Sequence, residues 1–251
     1  MIKISIVTVV KNDCEGIEKT ILSVLNQSYT NIQYIIIDGK SEDGTWELIN
    51  KYASHLDNTV SEQDGGIYDA MNRALFFVEG DWVLFLNSSD FLHDEDVIMN
   101  FCEYLTSNPV VEIIRGSALY SYKNSNVALK IPRSNFHTWR GMPHSHQCQF
   151  TKSDLAKAFP FNTNLRYSAD FDFYLKMINK GVRIGTLDTV ISVCDYSKGF
   201  SKMPNLTTLY LDFIKIHFNF SKPHICLLVL FYVPIEILFL NMKRLLQWLI
   251  R

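Results

Sequence analysis

Four polar runs in this chain combine residue types that handle anions, metal ions and hydroxyl protons. Asn87-Ser88-Ser89-Asp90 closes an apolar stretch. Hard divalent ions such as Mn2+ and Mg2+ take carboxylate and phosphate oxygens, so Asp90 with a diphosphate and water suffices for a lean metal site. The same residues equally read as a polar turn that ends a strand. Asp64-Gly65-Gly66-Ile67-Tyr68-Asp69-Ala70-Met71-Asn72 sets a Gly-Gly pair before a helix start. Free N–H groups and the helix dipole favour anions there. Asp64 and Asp69 repel phosphate unless a cation intervenes, and as plain capping carboxylates they need no ligand. Asp38-Gly39-Lys40-Ser41-Glu42-Asp43-Gly44-Thr45 offers a carboxylate to a base or ribose edge, with Gly39 and Gly44 permitting tight turns. Such turns are also common structural punctuation. The last run is split between Pro143-His144-Ser145-His146-Gln147 and Ala169-Asp170-Phe171-Asp172. Transfer of a group to a hydroxyl needs a base for the proton and a way to neutralise a departing phosphate. Asp170 is the candidate base, and His146 a candidate ligand of metal or phosphate. Read singly, Asp170 and Asp172 are also first-turn helix acids, and the histidines surface-loop residues.

These runs need a scaffold that gathers them. Ile4, Ile6, Val7, Val9 and Val10 form a β-branched run of the kind found in central parallel strands. Asn12 or Asp13 can cap the following helix, where Ile17, Ile21, Val24 and Leu25 recur at helical spacing. A second apolar run, Tyr34 to Ile37, ends at Asp38, and a helix follows with Trp46, Ile49 and Tyr52 on one face. A helix from Ile67 to Val78 leads to a third run, Trp82 to Leu86. Strands alternating with helices predict a doubly wound α/β sheet, whose ligands bind beyond the carboxyl ends of the strands. Asp38 and Asp90 both stand at such ends. Beyond residue 110 the pattern loosens. Val110 to Gly116 reads as a strand, Ser117 to Ile131 as a hairpin or loop excursion, Pro132 to His146 as site-lining loop, and Tyr167 to Asn179 as a helix.

The totals narrow the class. The 251 residues are 47% hydrophobic and carry a formal net charge of -2, enough for one large core and without the basic excess of a nucleic-acid binder. Five scattered cysteines with no CxxC pair read as free buried thiols. The N-terminus lacks the basic and apolar regions of a signal peptide and reads as a buried strand. Ile225 to Leu240 is apolar but broken by Pro234 and Glu236, and is flanked by Lys243, Arg244, Trp248 and Arg251. That is short for a spanning helix and suits a helix lying in a membrane interface. A buried helix or a homodimer contact is the alternative.

Taken in order, the motifs resemble family 2 glycosyltransferases. The match lies in Ser5-Ile6-Val7-Thr8-Val9-Val10-Lys11-Asn12, in Ser23-Val24-Leu25-Asn26-Gln27-Ser28-Tyr29, and in Ile36 to Thr45. Glu62 to Asn72 is similar to the branch that builds bacterial polysaccharides. The resemblance runs from Ile2 to Ser201. It implies a GT-A fold, a mixed doubly wound sheet with helices on both faces, over residues 1–202. Residues 1–110 would bind the nucleotide sugar, 111–202 the acceptor, and 203–251 would form a helical, membrane-associating tail. It implies an inverting single displacement with Asp170 as base. It places Asp38 and Asp64 on the nucleoside and Thr8 and Val10 near the base, and Gly66, Asp69, Asn72 and Asn87 complete the expected nucleotide-sugar set. Asp90 matches the last acid of a DxD-type metal motif for Mn2+ or Mg2+, with His146 beside it. His144, Gln147 and Asp172 are the expected acceptor contacts. The implied partners are a UDP-sugar, with glucose or galactose favoured, and a lipid-diphosphate-linked saccharide. The implied place is the cytoplasmic face of a bacterial inner membrane, in O-antigen or capsule assembly. Four positions depart from the branch: Asn87 and Ser89 replace acids, Ala169 replaces a Glu, and Lys40 stands where Gly is frequent. The first three leave open a non-catalytic nucleotide-sugar-binding subunit on the same fold. A nucleotidyltransferase would need a Gly-rich basic loop near the N-terminus, and Val10 to Cys14 does not supply one.

Overall fold

The computed structural model describes residues 1–122, 127–195, 205–220 and 230. Strand β1 (Ile4–Val10) is buried along its whole length. It lies parallel between β2 (Ile32–Asp38) and β4 (Trp82–Phe85). Burial on both faces is why its apolar run does not alternate. Ile4 and Ile6 feed one core layer, Val7 and Val9 the other. The first layer packs under α1 (Ile17–Leu25), α2 (Thr45–Lys51) and α4 (Val97–Ser107). In it Phe101 stacks on Phe150 at 4.0 Å between centroids and meets the Trp82 ring edge-on at 5.2 Å. The second layer lies under α3 (Ile67–Leu75), α5 (Ser153–Ala158), α6 (Ala169–Asn179) and α7 (Leu206–Phe220).

The remaining strands are β3 (Asn58–Ser61), β5 (Phe91–Leu92), β6 (Ile113–Ser121), β7 (Val127–Lys130), β8 (Gln149–Lys152) and β9 (Ile184–Asp195). They complete a single mixed sheet, ordered β3-β2-β1-β4-β8-β6-β9-β5. The first four strands in that order are parallel. Antiparallel β8 bridges β4 to β6, and β7 pairs with the far end of β6. The alternation seen in the sequence thus describes the first half only. The second half joins the same sheet by antiparallel pairing, so 1–110 and 111–202 share one ladder.

Two local expectations change. Neither Asn12 nor Asp13 is the residue that caps α1; Gly16 holds that position, and Asp13 accepts the Gly16 N–H through Oδ1 at 3.2 Å. The helix α3 stops at Leu75 rather than Val78. Helix α7, which the sequence reading gave to the tail, packs against α6 and contributes buried Ile216. Apart from Leu230, Ile225 to Leu240 and its basic flank lie outside the described residues. Among the described residues no helix is long and apolar enough to cross a membrane.

Candidate active site

The carboxyl ends of β1 and β4 open into a cavity of about 890 Å³. That is large enough for a small-molecule ligand. Both halves of the chain line it. The first half supplies Val10, the loop from Lys11 to Glu15, Tyr68 and Met71 of α3, and Asn87 to Asp90. The second supplies Tyr120, Lys130, His144 to Gln147, Tyr167, Asp170, Cys194 and Asp195.

The turn after β4 is held from below by Asp13. Its Oδ2 accepts the Ser88 and Ser89 hydroxyls at 2.5 and 2.8 Å. The backbone carbonyl of Asp90 accepts the Thr20 hydroxyl at 2.7 Å. Asp90 is 7% exposed, and its Oδ1 accepts the Asp195 N–H at 2.9 Å. Burial pushes its carboxyl up to about 7, opposed by the bonds from the Asp195 N–H and the Gln147 side chain. A buried carboxylate facing a cavity attracts a cation. Beside it the Asn87 side-chain oxygen is buried without a partner, so an oxygen ligand is to hand. No cluster of three His, Cys, Asp or Glu able to hold a metal occurs among the described residues. The donor set therefore fits a Mn2+ or Mg2+ ion held by Asp90 and Asn87 and completed by ligand oxygens and water. His146 lines the same cavity. Its ring stacks on Phe85 at 5.6 Å and meets Phe161 edge-on at 5.7 Å, and neither ring nitrogen has a partner. Burial lowers its pKa, so the ring is neutral near pH 7.

Asp170, in the first turn of α6, lines the same cavity. Its Oδ1 accepts the Phe171 N–H at 2.9 Å and lies 3.4 Å from the Tyr68 hydroxyl, which donates to the Tyr167 carbonyl at 3.0 Å. Oδ2 has no partner among the described residues. One oxygen is thus fixed and the other is open. Asp172, two residues on, lies on another face of α6. It is 1% exposed, pairs with Lys176 at 2.8 Å and borders a separate depression against α7. Helical geometry directs it away from Asp170.

Several residues expected to contact the donor also hold bonds within the protein. Asp38 is fully buried, and its oxygens accept from the Ser41 and Ser61 hydroxyls, each at 2.5 Å, and from the Ser41 N–H at 3.0 Å. The Thr8 hydroxyl lies 3.1 Å from that of Tyr34, on the buried side of β1. Asn72 brackets the Phe161 backbone with bonds of 2.8 and 2.9 Å. Asp69 accepts the Gly65 N–H at 2.9 Å and pairs with Arg73 at 3.0 Å. Asp64 accepts the Gly66 N–H at 3.0 Å, and its carboxylate lies against Gly39, where a Cβ would overlap it. Thus Val10 and Asn87 line the cavity, while Thr8, Asp38, Asp64, Gly66, Asp69 and Asn72 do not. His144 lines it too, but is 1% exposed, with Nε2 held by the Gln149 side-chain oxygen at 2.8 Å. Gln147 accepts the Ser145 hydroxyl at 2.7 Å. Asp13, Tyr68, Lys130 and Asp195 line the cavity without having been singled out as ligand contacts. Asp13 was visible only as a possible cap, and Lys130 sits in a segment with no motif.

A mixed sheet with helices on both faces, and a cavity at its strand ends holding Asp90 and Asp170, is the arrangement of a GT-A glycosyltransferase. The profile described as Glycosyl transferase family 2 matches residues 5–170, and the chain belongs to that family. An uncharacterized glycosyltransferase of Mycobacterium tuberculosis is 31% identical over 189 residues, covering 69% of this chain and 68% of the relative. A shorter match, 36% identical over 89 residues, covers 35% of this chain and 36% of the Escherichia coli UDP-Glc:alpha-D-GlcNAc-diphosphoundecaprenol beta-1,3-glucosyltransferase WfaP. Among solved structures, S. aureus TarS 1-349 in complex with UDP superposes with a TM-score of 0.70 at 17% identity, over 88% of this chain and 67% of that one.

Proposed function

We propose that this enzyme transfers a hexose, glucose or galactose, from a UDP-sugar to a hydroxyl of a lipid-diphosphate-linked saccharide such as GlcNAc-diphosphoundecaprenol, in O-antigen or capsule repeat-unit assembly. The observation that carries the reading is that Asp90 and Asp170 line one cavity. The open Oδ2 of Asp170 takes the acceptor proton. The hydroxyl oxygen bonds to the sugar C1 from the face opposite the diphosphate. The C1–O bond breaks, and its electron pair leaves with UDP. An α-linked donor thus gives a β-linkage. A divalent ion, when bound, supplies charge neutralisation for the diphosphate. Asp90 and Asn87 would hold it, and the Phe171 N–H keeps one oxygen of Asp170 in place. The WfaP match supports the lipid-linked acceptor.

Asp170→Asn is expected to lower kcat about 10²–10⁴-fold while UDP binding by calorimetry is retained. Near-normal turnover would remove Asp170 from the base role. The tail chemistry supports peripheral attachment to the cytoplasmic face of a membrane. Truncation after Pro223 should then reduce cosedimentation with anionic vesicles and leave transfer to a soluble acceptor intact. Undiminished cosedimentation would favour a buried or dimer-forming tail.

A further inference from the structure

We infer that the outer face of the β6–β7 hairpin docks on an anionic lipid surface. The stretch from Ile113 to Ser153 includes six Lys or Arg and no Asp or Glu, so all 26 acids of the chain lie outside it. Within that stretch Val127, Leu129 and Ile131 are 59%, 55% and 64% exposed. A row of large apolar side chains left in water marks a surface that something covers. Val127 and Leu129 share one face of β7, opposite Ser121 and Leu119 of β6, and Ile131 is next in the alternation. Tyr120 and Lys130, on the other face, line the cavity. Beside the row, Arg133 donates to the Met142 carbonyl at 3.0 Å, and exposed Arg140 stands 5.6 Å from the Trp139 ring centroid. Gly141 abuts Phe213 of α7, the helix whose sequence runs on into the apolar tail. Apolar side chains bordered by Trp and Arg suit the level of lipid headgroups, and an acid-free basic stretch suits anionic ones. The same charges disfavour a second copy, because pairing two β7 edges would set like charges side by side.

The use of this surface rests on the acceptor proposed above: a lipid-linked saccharide held there enters the cavity past the β7 edge. The test takes the full chain with mixed phosphatidylglycerol and phosphatidylcholine vesicles, without donor or acceptor. Adding vesicles should slow amide exchange in residues 127–131 at least about fivefold. The double variant Leu129→Thr, Ile131→Thr keeps side chains that suit a strand. It should hold the wild-type urea midpoint and bind vesicles at least about fivefold more weakly. Arg140→Gln should weaken binding about fivefold, and by a smaller factor at high salt. Where the double variant's midpoint falls, Arg140→Gln carries the test. Unchanged exchange on adding vesicles, or wild-type vesicle affinity in either variant, overturns the docking surface. So does a wild-type dimer that the double variant dissolves in sedimentation, which would give this face to a second copy. A transfer assay separates surface from function. The double variant should raise KM about fivefold for a lipid-diphosphate GlcNAc, as its vesicle affinity falls, and leave KM for a water-soluble GlcNAc glycoside unaltered. Vesicle binding that depends on Leu129 and Ile131 in a protein that transfers no hexose would refute the proposed function and leave the docking surface standing.

Discussion

Lys40 adopts φ +59°, Asn12 +52° and Ser89 +71°, left-handed conformations that cost a residue with a side chain about 1–2 kcal/mol each. All three stand in turns that follow β1, β2 and β4, where strain commonly collects around a site. The φ of Lys40 gives a physical reason why Gly is frequent there in the family branch. Its neighbour Gly39 is constrained differently: a side chain would run into the Asp64 carboxylate. Gly39→Ala is therefore expected to displace Asp64 and weaken UDP binding by roughly 1–3 kcal/mol, the range for losing a hydrogen-bonding partner of a buried polar group. Calorimetry with UDP checks this, and unchanged affinity would remove Asp64 from the nucleoside contact. The reactive residue types were legible in the sequence, but their orientation was not. Asp38, Asp69 and Asn72 are engaged by Ser61, Arg73 and the Phe161 backbone, and a motif does not specify such partners. Lys130 went unread because it follows three exposed residues of an edge strand, and only the fold turns it inward.

At the scale of elements, β1, β2 and β4 were readable because both faces are buried, which forces uninterrupted apolar runs. The strands β3, β5 and β8 are two to four residues long and too brief to show a period. Gln149 and Thr151 in β8 are buried yet polar, since they bond to each other at 2.9 Å and Gln149 also holds His144. The 12-residue β9 carries irregular burial because its register against β6 shifts around Ser117. Helix α7 was absorbed into the apolar tail, whereas besides its apolar contacts a buried polar bond ties it to the core: Asp212 accepts the Tyr167 N–H at 2.9 Å. Asp212→Ala leaves that N–H without its acceptor and should cost about 1–3 kcal/mol. A lower urea midpoint, with faster amide exchange in Leu206–Phe220, is the expected result; wild-type values for both would show that apolar contacts alone dock α7.

For the molecule as a whole, buried histidines weaken the fold as pH falls, opposed by Asp90, whose carboxyl is pushed up to about 7 by burial. Burial pushes His144 down to about 3 and His217 down to about 4. Their unfolded values lie near 6.5, so the unfolded chain binds protons that the folded chain refuses. The stabilisation from neutral burial is complete above about pH 6.5 and is lost as pH falls towards 4, at up to ~1.4 kcal/mol per pH unit per histidine. Urea midpoints from pH 7 to pH 5 should fall, and less steeply in His217→Phe; parallel slopes would assign the acid sensitivity to other groups. The shared sheet has a different consequence, one of timing. The edge of β4 that receives β8, Trp82 to Leu84, has no partner until the chain has been made through Lys152. At ribosomal speed the roughly 65 intervening residues take about 3–13 s. Throughout that interval the nascent N-terminal half presents an apolar, unpaired strand, so co-translational chaperone shelter should matter most between the synthesis of β4 and β8.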